Sequence, residues 1–331
     1  AKWPLKQLEE AAKRTRKIGV GVMGWHHMLI KLGIPYDSVD ALYIAYNLAE
    51  WIEHNLALAS IELARERGSF PAYDPQRYRP TWLTAKPFDE LLKIAGISDR
   101  PSRRALELIA DRPRVDWNYV EELRKRYGIR NATLTSIAPT GTISIIAGSS
   151  PSIEPIFAVA FERHVTVGTF IEVDRLFLEY LRLYELDDPN LIKVIAERGY
   201  IGDAYFVPKT IRSLFKTAHE IPVVYHVLHQ AVWQQWICAG VSKTINMPFE
   251  ASIDDVREAY ILAWKLGCKG VTVYRDKSKQ QQVIYIGVKM KKEKEGGEEG
   301  MHRPNLEVKK HASLAEAIES IGRSGCQLCE Y

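Results

Sequence analysis

Ser136-Ile137-Ala138-Pro139-Thr140-Gly141-Thr142-Ile143-Ser144-Ile145-Ile146-Ala147-Gly148-Ser149-Ser150 places a turn of small and hydroxyl-bearing residues between two apolar runs. Just upstream, Ala132-Thr133-Leu134-Thr135-Ser136-Ile137 alternates as a short strand, so the stretch reads as strand, turn and helix start. A helix beginning near Thr140 leaves its first N–H groups unpaired. It also aims the positive end of its dipole at whatever lies above Pro139-Thr140-Gly141-Thr142. A phosphate fits that description. Gly141 puts no side chain between backbone and ligand, and Pro139 gives up an N–H that is surplus near a helix start. A capped, buried turn is the competing reading, and elementary physics leaves both open.

Outward from this turn, the first 130 residues read as mainly helical. Residues 6 to 32 carry one apolar face, and Asp37 to Arg67 repeats a three-and-four spacing through Leu42, Ala45, Leu48, Ile52, Leu56 and Ile61 before Gly68 and Pro71 stop it. Helices are predicted again over Pro87 to Ile94, Pro101 to Ile109 and Asn118 to Tyr127. After the turn, Ile153 to Ala160 reads as extended chain. Phe170 to Tyr184, Asn190 to Glu197, Lys209 to Lys216 and Tyr225 to Ala239 read as helices. Ser242 to Asn246 and Gly270 to Tyr274 read as strands around a helix that opens at Ser252, with Asp254 and Asp255 in its first turn. Strands separated by helices predict an α/β core. Lys291 to Gly300 has no apolar residue to bury and is predicted to be a flexible linker. The parts expected are 1–130, mainly helical; 131–288, strand and helix with the phosphate turn; 289–310, linker; and 311–331, a tail carrying one short amphipathic helix and a cysteine pair.

The 331 residues are 46% hydrophobic and 26% charged, ordinary for a globular chain with a sizeable core. A net charge of +4, with Lys and Arg interleaved among acids, gives no basic stripe and argues against nucleic acid as a partner. No apolar run approaches the roughly 18 residues of a membrane span. No signal peptide follows Lys2, and the chain starts at Ala1 rather than Met, which predicts that it begins inside a longer product or after processing. Four cysteines, none before Cys238, do not make a secreted disulfide scaffold, and a cytoplasmic setting is expected.

Cys326-Gln327-Leu328-Cys329 is a CxxC near a flexible end. It suits a dithiol that exchanges with another disulfide, with a zinc site completed by His302 and His311 or an inert pair as alternatives. Gly19-Val20-Gly21-Val22-Met23-Gly24 matches GxGxxG, but a helix-forming segment precedes it, so close helix packing against small residues is expected rather than dinucleotide binding. His226 and His229 share a helix face with Cys238 further on, a metal site or polar groups at a packed surface. If Ser242 to Asn246 is a strand, Ser242, Thr244 and Asn246 share one face as a sheet edge or a substrate wall, and Lys243 lies in the opposite phase. Arg275 meets a phosphate or pairs with a neighbouring acid such as Asp276.

Four runs coincide: Arg16 to Gly24; Ala138-Pro139-Thr140-Gly141-Thr142-Ile143-Ser144; Val241-Ser242-Lys243-Thr244-Ile245-Asn246-Met247-Pro248; and Gly267 to Asp276. Together they resemble the C-terminal half of the catalytic chain of ribonucleotide reductase, most like its adenosylcobalamin-dependent class II form, over about residues 8 to 280. The resemblance implies the C-terminal portion of a ten-stranded α/β barrel, helix-rich at its N-terminus. It implies substrate-phosphate binding by Ala138, Pro139, Thr140, Gly141, Thr142, Ile143 and Ser144, with the hydroxyls of Thr140, Thr142 and Ser144 helping the backbone. It assigns Cys326 and Cys329 to re-reduction of an active-site disulfide. The implied partners are a ribonucleoside di- or triphosphate, adenosylcobalamin, a thioredoxin-like reductant, an N-terminal half or subunit, and further copies of the complete enzyme.

The Asn-x-Cys-x-Glu loop that carries the family's radical cysteine does not occur in this sequence. The chain alone is therefore expected to be inactive, as part of a split, truncated or cut enzyme. A class I large-chain fragment and a non-catalytic nucleotide-phosphate-binding remnant are the alternatives.

Overall fold

A computed structural model describes residues 2–165, 168–276, 278 and 284–286. In chain order the helices α1 to α7 are Lys6–Thr15, Trp25–Leu32, Val39–Arg67, Phe88–Ile94, Arg103–Ala110, Trp117–Tyr127 and Gly141–Ile146. Strands β1 (Ala160–Val165) and β2 (Gly168–Val173) follow, then α8 (Arg175–Leu183), α9 (Pro189–Arg198), α10 (Lys209–Leu214) and α11 (Val223–Gln234). The last elements are β3 (Thr244–Met247), α12 (Ile253–Lys265), β4 (Thr272–Arg275) and β5 (Ile284–Ile286).

These elements form two compact units. The first combines Ala1–Ile156 with Lys216–Gln280; the second is built on Phe157–Phe215. In the first, α3 starts where the Ser38 hydroxyl accepts from the Ala41 N–H at 3.1 Å and stops at Gly68. Its small inner residues Ala41, Ala45 and Ala49 are fully buried in the core shared with α11 and let that helix lie close against it. Trp25, Tyr36 and Trp233 fill the same core, and Trp82, Trp117 and Trp236 stack with centroids 5.1 and 5.5 Å apart. Ser252 and Asp255 cap α12 reciprocally, as the acids at its start predict. In the second unit, β1 lies between β2 and β5, antiparallel to both.

Several expectations are corrected. The described residues are mostly helical, with one two-stranded parallel sheet (β3 and β4) and one three-stranded antiparallel sheet, and no closed ten-stranded barrel forms among them. The strand expected over Ala132 to Ile137 makes only two isolated parallel bridges, Val20 to Thr135 and Ile137 to Val241. Pro139, which has no N–H to donate, and the left-handed Thr140 (φ 50°) end the pairing just beyond Ile137. The helix expected over residues 6 to 32 breaks between Thr15 and Trp25. There Arg16 is left-handed (φ 46°), and the N–H groups of Ile18 and Val20 donate to Thr133 and Leu134 at 3.0 and 2.8 Å.

The glycines of that break are packing residues, though against a neighbouring extended segment rather than a helix. A Cβ on Gly21 would meet the Ser136 carbonyl oxygen at 2.1 Å, and one on Gly19 the Ser136 Cβ at 2.9 Å. Residues 153 to 159 form no strand, and Thr169 to Val173, rich in β-branched residues, pairs as β2 instead of opening a helix at Phe170. No described helix is long and apolar enough to cross a membrane.

Candidate functional site

The turn at Thr140 has the geometry that its sequence calls for. Thr140 is left-handed and α7 begins at Gly141, with no side chain capping the first-turn N–H groups. Ala138, Pro139, Gly141, Thr142 and Ile143 are exposed, and nothing lies within 4 Å of where a Gly141 Cβ would stand. Two of the three hydroxyls already have partners: Thr140 Oγ1 accepts from the Ser152 N–H at 2.7 Å, and the buried Ser144 donates to the Gly141 carbonyl at 3.1 Å. An incoming anion thus meets backbone N–H groups and the Thr142 hydroxyl first.

The loop Ser150 to Ile156 holds this turn, and the core holds the loop. The Ser150 N–H donates to His27 Nδ1 at 3.2 Å, Tyr36 donates to the Ile153 carbonyl at 2.7 Å, and the Ile156 N–H donates to His26 Nδ1 at 2.8 Å. Glu154 reaches inward. Its carboxylate accepts from Lys243 Nζ at 2.5 Å and from the Thr244 N–H at 2.6 Å. Lys243 is 2% exposed, and its ammonium also donates to the Thr244 carbonyl at 2.6 Å and lies 2.7 Å from His226 Nδ1.

His226 Nε2 is 2.9 Å from the Ala218 carbonyl, so the ring carries its proton there and accepts from Lys243 at Nδ1. Burial and the Lys243 charge push the His226 imidazolium well below its usual range and keep the ring neutral. Burial lowers Lys243 while Glu154 pulls it back up. Three donors thereby meet three acceptors, which is what a buried ammonium requires.

The remaining sequence candidates fall elsewhere. Lys243, in opposite phase to the polar stripe, points into the core. His229 is fully buried, with Nε2 2.9 Å from the Tyr36 carbonyl, and burial pushes it down to about 3. No group of three His, Cys, Asp or Glu able to hold a metal occurs among the described residues. The Arg275 guanidinium donates to the Phe249 carbonyl and lies over the Phe249 ring. Cys326 and Cys329 lie outside the described residues. Sequence reasoning did not find the Glu154–Lys243–His226 triad; a lysine flanked by Val241, Ile245 and Met247 was its one signal.

Residues 1–274 match the family described as "Ribonucleotide reductase, barrel domain". This chain belongs to that family. It is 42% identical over 287 residues to the vitamin B12-dependent ribonucleoside-diphosphate reductase of Thermoplasma acidophilum, covering 86% of this chain and 32% of the relative. It is 38% identical over 284 residues to the enzyme of the same description from Mycobacterium tuberculosis, covering 86% of this chain and 34% of the relative. The chain thus spans about a third of the length of these relatives. Among solved structures it is similar in fold to the alpha subunit of the class Id ribonucleotide reductase of Actinobacillus ureae. That likeness has a TM-score of 0.60 at 22% identity and covers 83% of this chain and 42% of the other.

Proposed function

We propose that this chain supplies the substrate-phosphate turn and the reducing tail of an adenosylcobalamin-dependent ribonucleotide reductase that makes 2′-deoxyribonucleotides from ribonucleoside di- or triphosphates in the cytoplasm. The observation that carries the reading is the open start of α7. Uncapped N–H groups, no side chain at Gly141 and a left-handed Thr140 braced by Ser152 leave a cradle for phosphate oxygens. The relatives named vitamin B12-dependent support the cofactor class. The cavity of about 350 Å³ beside Glu53 is at the small end for a drug-sized ligand and does not fit a corrin ring. Adenosylcobalamin is assigned to the complete enzyme. A second reading, a class I-type large chain, is favoured by the Chlamydia pneumoniae "ribonucleoside-diphosphate reductase subunit alpha", 28% identical over 268 residues.

Cys326 and Cys329 are assigned the reduction of an active-site disulfide. Their two thiols become a disulfide while the target disulfide becomes two thiols, and a thioredoxin-like protein restores the pair. Two variants test the assignments in the complete homo-oligomeric enzyme, reconstituted from this chain and the polypeptide that supplies the rest of the relatives' length. Gly141→Val should raise the substrate KM by roughly tenfold, the equivalent of one charge-assisted hydrogen bond lost. An unchanged KM removes the phosphate site. Replacing both tail cysteines with Ser should spare one turnover and stop sustained turnover on the protein reductant, with partial rescue by a small dithiol. Full multiple turnover without them returns the pair to a structural or metal-binding role.

A further inference from the structure

Thr135 and Thr140 lie at opposite ends of one short segment, and Ala132 and Thr133, just before Thr135, line the cavity beside Glu53. Cys238, in the turn after α11, lines this cavity and is half-buried. Its sulfur receives the backbone N–H groups of Leu134 at 2.9 Å and Thr135 at 3.2 Å, and Thr135 Oγ1 lies 3.4 Å away. The same hydroxyl is 2.9 Å from Glu53 Oε2. Glu53 is 1% exposed and also accepts a hydrogen bond from the Thr81 hydroxyl at 3.2 Å. A carboxyl, a hydroxyl and a thiol thus stand in series, with converging N–H donors at the sulfur end.

We propose that Cys238 is a nucleophilic thiol served by a Thr135–Glu53 proton relay, and that its cavity is a thiolation site for small anionic disulfides. The thiol proton passes to Thr135 Oγ1 as the Thr135 proton passes to Glu53. Glu53 then holds a proton, and the sulfur is a thiolate facing two N–H groups and one O–H. The thiolate attacks one sulfur of the disulfide. A new S–S bond forms at Cys238, the old one breaks, and the departing thiolate takes up the proton held by Glu53, so electrons and protons balance.

Burial raises the Glu53 carboxyl to about 7 against the pull of the Thr135 and Thr81 hydroxyls and Lys269, which suits it to accept and return a proton near neutrality. Tyr78 and Lys269 are the other titratable groups whose charge is felt at both Cys238 and Glu53. The class of ligand follows from the walls. Arg79, Lys86 and Lys269 line the cavity against a single carboxyl, and Lys269 spends its hydrogen bonds on the Ile237, Cys238 and Ala239 carbonyls, which leave its charge unneutralised. Lys86 is paired with Glu90 outside the lining. Cys268 supplies the internal reference, since burial pushes its thiol up to about 12.

The test uses the full chain with two disulfides of similar size, dithiodiglycolate (anionic) and cystamine (cationic), and reads the modification of each cysteine by peptide mass spectrometry. In the folded chain Cys238 should react about tenfold or more faster than Cys268 and than Cys238 in urea, with dithiodiglycolate preferred over cystamine. Thr135→Val and Glu53→Gln should slow Cys238 in the folded chain and change the shape of its pH–rate profile. A Cys238 no faster folded than in urea overturns the proposal. So does a Thr135→Val chain with native circular dichroism and an unchanged pH profile. Equal rates with the two disulfides overturn the ligand class. If Thr135→Val does not fold, the comparison of folded and urea-treated native chain still decides.

Discussion

Replacing Lys243 with Met removes a charge from the core while keeping most of the side chain's volume, so its cost isolates the ion pair. The native ammonium is buried and satisfies three acceptors: Glu154 Oε2, the Thr244 carbonyl and His226 Nδ1. After the change the Glu154 carboxylate keeps the Thr244 N–H but loses its counter-charge, and the other two acceptors lose their donor. Removing one partner of a buried pair costs about 3–5 kcal/mol. Glu154 retains 18% side-chain exposure, so water relieves part of the burden and the lower end, about 3 kcal/mol, applies. At about 2.1 cal/mol/K of unfolding entropy per residue, a chain of 331 residues shifts by about 1.4 °C per kcal/mol, so melting should fall by about 4 °C in circular dichroism. The double variant Lys243→Met with Glu154→Gln removes both charges and should recover much of the loss, because an apolar replacement of a whole pair is often nearly neutral. A single variant that melts within about 2 °C of the native chain, or a double variant whose cost equals the sum of the two singles, refutes the coupling. The site supplies an independent readout: Glu154 anchors the loop that carries Ser152 against Thr140, so the single variant should also raise the substrate KM in the reconstituted enzyme.

Two further outcomes are expected. Gly21→Ala drives a methyl into the Ser136 carbonyl and should destabilise by about 2 kcal/mol or more, whereas Gly141→Ala meets open space and should change stability by less than about 1 kcal/mol; urea midpoints decide. Glu53 titrates at about 7 in the folded chain, above its unfolded value, so its contribution is fully present below about pH 4.5 and is lost as pH rises through 7. The native chain should therefore lose up to about 3 kcal/mol between those limits relative to Glu53→Gln, measured as the difference of their unfolding free energies at pH 4.5 and pH 8. A pH-independent difference shows that Glu53 is ionised at an ordinary carboxyl pKa.

The helices were legible because their signals are local. Ser38, Asp116 and Ser252 cap where their side chains permit, and Gly68 stops α3. The start of α7 after Thr140 was legible for the same reason, since Pro139, Thr140 and Gly141 mark a turn and a helix start locally, although Ser152 braces Thr140 from the following loop. The break between α1 and α2 was not. Alternation and helix periodicity are both weak in Lys17 to Met23, and what selects extended chain is the Ser136 backbone, more than 100 residues away, which leaves no room for a Cβ at Gly21. Barrel closure was inferred from resemblance, and the short pairing of residues 132–137 reflects Pro139, whose missing N–H was visible but was read only as a helix-start device.

Lys243 shows the deeper limit. A polar stripe through Ser242, Thr244 and Asn246 announces one face of β3 and its approach, and strand alternation then assigns Lys243 to the opposite face with Val241, Ile245 and Met247. An isolated lysine among three apolar side chains is too costly to bury unless an acid and further acceptors come to it. Those arrive from Glu154, His226 and the Thr244 carbonyl, the first two from parts of the chain 89 and 17 residues away in sequence. The alternation therefore held the answer, but only together with a rule about charge: a lysine in phase with core residues demands its own counter-ion, and a glutamate just beyond the Thr140 turn is then the place to look.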